Sequence, residues 1–249
     1  MSLSKNKIKY LQSLKHKKYR SQHNTFVAEG AKLILDLMPH LACQLLVVAE
    51  EIKDDIPNIE AEETIITTRH EIKKASHLAT PPDAIAVFYQ SQQDLSHIDF
   101  THKLNLMLDG VQDPGNLGTI IRIADWFGIE NIICSLDTVD VYNTKTVQAT
   151  MGALSRVNIH YASIPQLINQ YYNLPVYGTF LNAENIYKET LKPQGFIVMG
   201  NEGKGIRPEI EKLITHRLYI PSFSTNNITS ESLNVAVATA VVCSEFRRR

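Results

Sequence analysis

The stretch "LDGVQDPGNLGTIIRIADWFGI", residues 108–129, reads as the end of a buried strand, a glycine-rich loop and a helix. A loop that enters a helix in this way offers free backbone N–H groups and the positive end of the helix dipole to a ligand. The spacing is neither GxGxxG nor GxxxxGK followed by Ser or Thr, so dinucleotide and P-loop sites lose their main support. Arg122 lies in an otherwise apolar helical run. Placed in the first turn or two, its side chain would lean back over the preceding turn toward Gly118 and Asn116 and point at the loop. The alternative is a surface salt bridge to Asp125, three residues on.

Two further segments repeat the pattern of strand, polar loop and helix. In "FIVMGNEGKGIRPEIEKL" (196–213), Gly200, Gly203 and Gly205 imply positive backbone dihedrals or close approach to the main chain. Pro208 suits a first helical turn. Glu202 is either a solvated loop carboxylate or a group presented to a cationic or hydroxyl-bearing ligand. In "LYIPSFSTNNITSESLNVAVATAVVCSEF" (218–246), a strand ends near Pro221 and a helix starts near Ser230. Capping accounts for Ser230 and Ser232. Asn234, a poor helix former just inside an apolar run, needs a hydrogen-bond partner. All three junctions lie at carboxyl ends of strands, where open α/β sheets bind ligands, and are expected to converge on one pocket.

Working outward, residues 1–90 alternate element types. A basic amphipathic helix around Ile8, Leu11 and Leu14 precedes strands at "FVAEG", "QLLVVAE", "TIITT" and "AIAVFYQ", with helices at "AKLILDLM" and "RHEIKKASHLA". This is a small α/β domain. The polar run 91–103 suits a linker. Residues 104–249 form a second α/β domain, because its strands ("LNLMLD", "NIICS", "VNIHYA", "PVYGTF", "GFIVMG", "RLYIPS") are continuous apolar runs, as in a parallel sheet with helices on both faces.

Overall charge is near balance, with 25 Lys and Arg against 26 Asp and Glu, and gives no support for a nucleic-acid partner. Its distribution does. Residues 1–20 carry seven Lys or Arg and no acid, and the chain ends in three arginines, which fits contact with a polyanion. A solvated, frayed terminus is the alternative. Three distant cysteines make neither a disulfide framework nor a metal pair and point to a reducing cytoplasm. No apolar run reaches the roughly 20 residues of a membrane span, and histidine spacing supports no metal site.

Together the three loop segments resemble the SpoU (TrmH-type) family of the SPOUT class of RNA methyltransferases, over residues 104–249. The resemblance rests on "DPGNLGTIIRIA", "IVMGNEGKGI" and "IPSF…ESLNVAVATAV" in family order. More loosely, "FVAEGAKLILDLM" and "TPPDAIAVF" are similar to the substrate-binding domain of members that modify ribosomal RNA. The resemblance implies methyl transfer from S-adenosylmethionine to a ribose 2'-hydroxyl in RNA, a C-terminal trefoil knot, an L30e-like RNA substrate-binding domain over 1–90, and a cytoplasmic homodimer with no membrane partner. It implies a catalytic group of Arg122, Asn116, Glu202 and Ser232, with Arg122 buried near the loop and handling RNA. Met199, Gly200, Gly203, Ile220, Leu233 and Asn234 would hold the cofactor, and no metal takes part. Ribosomal RNA is the expected substrate. The alternatives are transfer RNA, or an RNA-binding ribosome-assembly factor that kept the fold without catalysis. One departure stands out: eleven positions separate Pro221 from Ser232 without a glycine, and Asn226 or Asn227 would have to replace it.

Overall fold

The basic N-terminal run forms a docked amphipathic helix. In the computed structural model, which describes residues 3–56, 60–91, 95, 98–224 and 231–248, α1 (Lys5–Ser13) begins at Ser4, whose hydroxyl accepts from the Lys7 N–H. Leu11 and Leu14 are fully buried in one cluster with Leu3, Val47, Ile72 and Val87, while Lys5, Lys9, Lys15, Lys17 and Lys18 face solvent. A frayed terminus is thereby ruled out for this stretch. A second helix, α2 (Lys17–His23), follows and ends at Asn24 in the left-handed region (φ 52°). Its Arg20 is buried and donates to the carbonyls of Leu14 (2.9 Å) and Lys15 (2.7 Å) and to the Asp140 carboxylate (2.5 Å).

β1 (Thr25–Glu29), α3 (Ala31–Leu37), β2 (Cys43–Ala49), β3 (Ala61–Thr67), α4 (Arg69–Ala75) and β4 (Ala84–Tyr89) complete the small sheet, ordered β1-β4-β2-β3. β4 is antiparallel to both neighbours, and β3 runs parallel to β2. α4 stops four residues before Ala79, where the helical pattern ends. The cause is Glu29: the buried carboxylate takes the Ser76 hydroxyl and the His77 N–H (2.9 Å), and pulls the chain out of the helix.

β5 (Leu104–Leu108), α5 (Pro114–Trp126) and β6 (Asn131–Cys134) open the second sheet. The segment Asp140–Arg156, with α6 (Thr144–Thr150), belongs to the first compact unit instead. There Tyr142 stacks on Phe26, ring centroids 4.8 Å apart. β7 (Asn158–Tyr161), α7 (Ile164–Gln170), β8 (Val176–Asn185), β9 (Gly195–Met199), α8 (Pro208–Glu211), β10 (His216–Tyr219) and α9 (Val235–Arg247) finish the second unit. Its six strands are ordered β10-β8-β9-β5-β6-β7 and every pairing is parallel.

Side chains alternate across each strand. Met107, Ile133, Phe196 and Val198 pack with α7 and α8. On the other side Tyr177 meets Phe246 of α9 edge-on at 4.9 Å, and α9 packs along α5. Phe100, in the stretch that reads as a linker, is buried against Phe196 and Tyr171, so aromatic packing ties that stretch into the second core. No described helix is long and apolar enough to cross a membrane.

Candidate active site

β5 and β9 are neighbours with Leu108 opposite Met199, and the Asp109 N–H continues the ladder to the Met199 carbonyl at 2.9 Å. From this pair the chain runs to β6 on one side and returns through β8 on the other. The two carboxyl ends therefore form the switch point at which an open α/β sheet leaves a crevice. Asp109 follows β5 directly at this point. Its carboxylate is fully buried and accepts from the Arg207 backbone N–H (2.7 Å), Nε (2.6 Å) and Nη2 (2.5 Å). These bonds hold the Arg207 guanidinium even more firmly protonated than usual.

The pair is asymmetric, since the Arg207 side chain remains 41% exposed. Arg207→Ala strands a buried anion and is expected to cost about 3–5 kcal/mol. Asp109→Asn leaves the half-exposed cation with water, Asp137 (3.3 Å) and Glu209 (3.8 Å), and should cost less, about 1–3 kcal/mol. Urea titration of both variants checks this, and equal losses would contradict it.

After β9 the chain folds into a tight hairpin in which Asn201 and Gly205 exchange both backbone bonds at 3.0 Å. Gly200 is dictated by space: a Cβ there would lie 2.3 Å from the Gly205 carbonyl carbon and 2.5 Å from the Ile206 nitrogen. Gly205 has φ +70°, a left-handed value. Gly203 has neither property, its nearest atom being 3.9 Å away, so the protein alone does not demand a glycine there.

α5 begins earlier than the glycine pattern suggests. Asp113 caps it by accepting from the Asn116 N–H at 2.8 Å, and Pro114 takes the first helical position, so Gly115 and Gly118 lie inside the helix. Asn116 in this first turn donates to Glu202 Oε1 (3.0 Å) and accepts from the Asn234 Nδ2 (2.9 Å). Glu202 also accepts from the backbone N–H groups of Asp113 (3.2 Å) and Gln112 (3.3 Å). Partial burial pushes its carboxyl up, but the bonds from Asn116 and from its own, the Asp113 and the Gln112 N–H groups outweigh this, and the net shift is downward. Glu202 is therefore an anion at neutral pH. Asn234 is itself the N-cap of α9, with its Oδ1 accepting from Ala236 (2.9 Å) and Val237 (3.3 Å). A continuous relay of hydrogen bonds, Glu202–Asn116–Asn234, thus joins the three strand-to-helix junctions.

The chain that carries these junctions matches known proteins. The model of the SpoU rRNA Methylase family covers residues 103–244. The chain belongs to that family. The model of an MRM3-like substrate binding domain covers residues 5–86. A TrmH-family protein from Porphyromonas gingivalis superposes with TM-score 0.87 at 38% identity, over 100% of this chain and 99% of that one. An AdoMet-bound rRNA methyltransferase from Sinorhizobium meliloti gives TM-score 0.87 at 28% identity, over 100% and 96%. Among curated proteins, the 23S rRNA (guanosine(2553)-2'-O)-methyltransferase RlmP of Bacillus subtilis is 29% identical over 99% of this chain and 98% of its own length.

In this SpoU chain the remaining expected residues are placed less uniformly. Arg122 is exposed in the third turn of α5, not buried, because Pro114 moves the helix start back; neither Asp125 nor any other described residue bonds its guanidinium. Ser232 is exposed and likewise makes no hydrogen bond among the described residues. Leu233 is 49% exposed, Ile220 partly buried, and Met199 buried with its sulfur 3.9 Å from the Thr179 hydroxyl. α9 starts at Val235 rather than near Ser230, because Asn234 supplies the cap; Ser230, Asn226 and Asn227 lie outside the described residues. The side chain of Asn234 is committed to the cap and to Asn116, which leaves one amide hydrogen for a ligand.

Sequence reading missed Asn201, Asp109 and Arg207. Asp109 was signalled by an acid directly after an apolar run, but nothing in the spacing names its partner 98 residues away.

Proposed function

We propose that this SpoU-family chain transfers a methyl group from S-adenosylmethionine to a ribose 2'-hydroxyl of RNA, ribosomal RNA in particular. The observation that carries the reading is the Glu202–Asn116–Asn234 relay, which ties the start of α5, the hairpin after β9 and the cap of α9 together. The rRNA-directed names of the Bacillus and Sinorhizobium relatives support the substrate class.

The residues suit an adenosine-bearing donor. Gly200 packs its own backbone against Gly205 and Ile206, where a Cβ would collide with main chain, and Leu233 leaves an apolar side chain half exposed beside the Asn234 cap. Met199, Gly200, Gly203, Ile220 and Leu233 would hold the donor largely through backbone and apolar contacts, with Asn234 bracing the crevice. S-adenosylmethionine supplies an electrophilic methyl group. Arg122 offers a fork of donors to an RNA phosphate and to the charge developing on the 2'-oxygen. Guanidinium keeps its proton at neutral pH, so the hydroxyl proton leaves to phosphate or water and Arg122 acts electrostatically. Asn116 and Ser232 orient the ribose, and the Glu202 anion balances the cationic surroundings of the reaction.

Residues 1–90 act as an RNA substrate-binding domain, joined through 91–103 to a methyltransferase domain over 104–249 whose segment Asp140–Arg156 packs within the first compact unit. The homodimer, the trefoil knot and the cytoplasmic setting belong to the same proposal; three buried free thiols suit a reducing compartment. Because α1 is docked, its RNA role is tested by charge rather than by deletion. Changing Lys5, Lys9, Lys15, Lys17 and Lys18 to Gln should weaken RNA binding and flatten its salt slope by about 0.7 for each lysine that meets a phosphate. An unchanged slope would remove these lysines from the interface.

The function is tested by calorimetry with S-adenosylmethionine and by mapping 2'-O-methyl positions in total RNA with and without the gene. Donor binding together with a ribosomal position lost on deletion is expected. A lost transfer-RNA position would move the substrate class, and absence of donor binding would leave the assembly-factor alternative.

A further inference from the structure

We propose that Asn201 is a positioning residue that anchors the hairpin after β9 and thereby aims Glu202 at the start of α5. The hairpin 201–205 is closed by its own backbone bonds, but those bonds do not fix where it sits. The Asn201 side chain does. Its Nδ2 donates to the Gly110 carbonyl at 2.7 Å, at the end of β5, and reaches Glu202 Oε2 at 3.4 Å. Its Oδ1 accepts from the N–H groups of Gly203 and Lys204, both at 3.0 Å. One amide thus shapes the turn and ties it to the β5–α5 junction.

The anchor point is itself held. Gly110 has φ +69° and its N–H donates to Ser135 Oγ at 2.8 Å, while Ser135 donates to Asp137 at 2.7 Å. At the hairpin's exit, the Asp109–Arg207 pair is the second tether. Between these tethers the exposed Glu202 reaches the N–H groups of Gln112 and Asp113 and the Asn116 amide. An aspartate at 201 would keep the acceptor half, lose the donor to Gly110, and set a second carboxylate beside Glu202. An asparagine meets both needs, and its short reach suits the turn to its own backbone.

The consequence for activity rests on the methyl-transfer reading, but the positioning role is measurable without it. In ligand-free protein, Asn201→Ala is expected to speed amide exchange at Gln112 and Asp113 at least 10-fold, although Asn201 bonds neither of these N–H groups. Asn201→Asp, which keeps the turn and the fold if alanine does not, should do the same. In single-turnover methylation, Asn201→Ala should cost about 10- to 100-fold on the wild-type background and under 3-fold when Glu202→Ala is already present, the non-additivity of residues acting through one another. Unchanged exchange at Gln112 and Asp113 in both variants would overturn the proposal, as would an equal loss on both backgrounds. Should the wild-type protein transfer no methyl group, the functional reading fails alone, and amide exchange still decides on Asn201.

Discussion

Arg122→Ala is expected to lower the rate of methyl transfer by about 10²–10³-fold while leaving affinity for S-adenosylmethionine within a few-fold. The magnitude is that of removing one preorganised donor from a developing oxyanion. The split between rate and affinity follows from position. Arg122 stands in the third turn of α5, exposed and unpaired among the described residues, whereas the expected donor site is built from Met199, Gly200, Ile220 and Leu233. A guanidinium with no partner of its own is available to a substrate at little cost. Arg122→Lys should not restore turnover, because a point charge cannot reproduce two parallel hydrogen bonds. Calorimetry with the donor and a methyl-transfer assay measure the two halves separately; normal turnover by either variant would defeat the assignment.

Gly200→Ala should weaken donor binding by an opposite route. The new Cβ would fall 2.3 Å from the Gly205 carbonyl carbon, and backbone rather than a flexible side chain must give way. Overpacking of this kind costs about 1–3 kcal/mol, and because the displaced backbone belongs to the expected donor site, the loss should appear as roughly 100-fold weaker affinity. Gly203→Ala provides the contrast. Its Cβ meets nothing within 3.9 Å, so the unfolding midpoint should not change. If the donor approaches the Gly203 backbone, affinity falls all the same, and this separates a glycine needed by the ligand from one needed by the protein. Equal affinities for wild type and Gly200→Ala would contradict the placement of the crevice.

How much of this could be read from the sequence depends on the range of the forces involved. Strands such as β5, β6 and β9 are apolar runs buried on both faces, and short-range pattern reveals them. The docking of α1 is likewise written in Leu11 and Leu14. The start of α5 was also legible: Asp113 followed by Pro114 is a cap and a first-turn signature, but the glycines after it drew the loop too long and placed Arg122 a turn too early. Asn234 carried a comparable signal, since a capping residue in front of "VAVATAV" fits a helix start better than a helix interior.

Other features were not legible because they are made between distant residues. Asp109 and Arg207 meet across 98 positions, and Asn201 grips Gly110 across 91. Neither pair follows from periodicity or composition. Nor does the packing of Asp140–Arg156 with the first ninety residues, which depends on Arg20 and Phe26 far upstream. The short helix α2 is too polar to show a face.

The central claim is that the carboxyl ends of β5 and β9 and the cap of α9 enclose one methyl donor with Arg122 outside it. A crystal structure of the protein soaked with S-adenosylmethionine tests this most directly. Density for the donor against Gly200, Ile220 and Leu233, with the Asn116–Glu202 and Asn116–Asn234 bonds intact, is the expected result. Donor bound elsewhere, or a crevice that stays empty at saturating concentration, would contradict it.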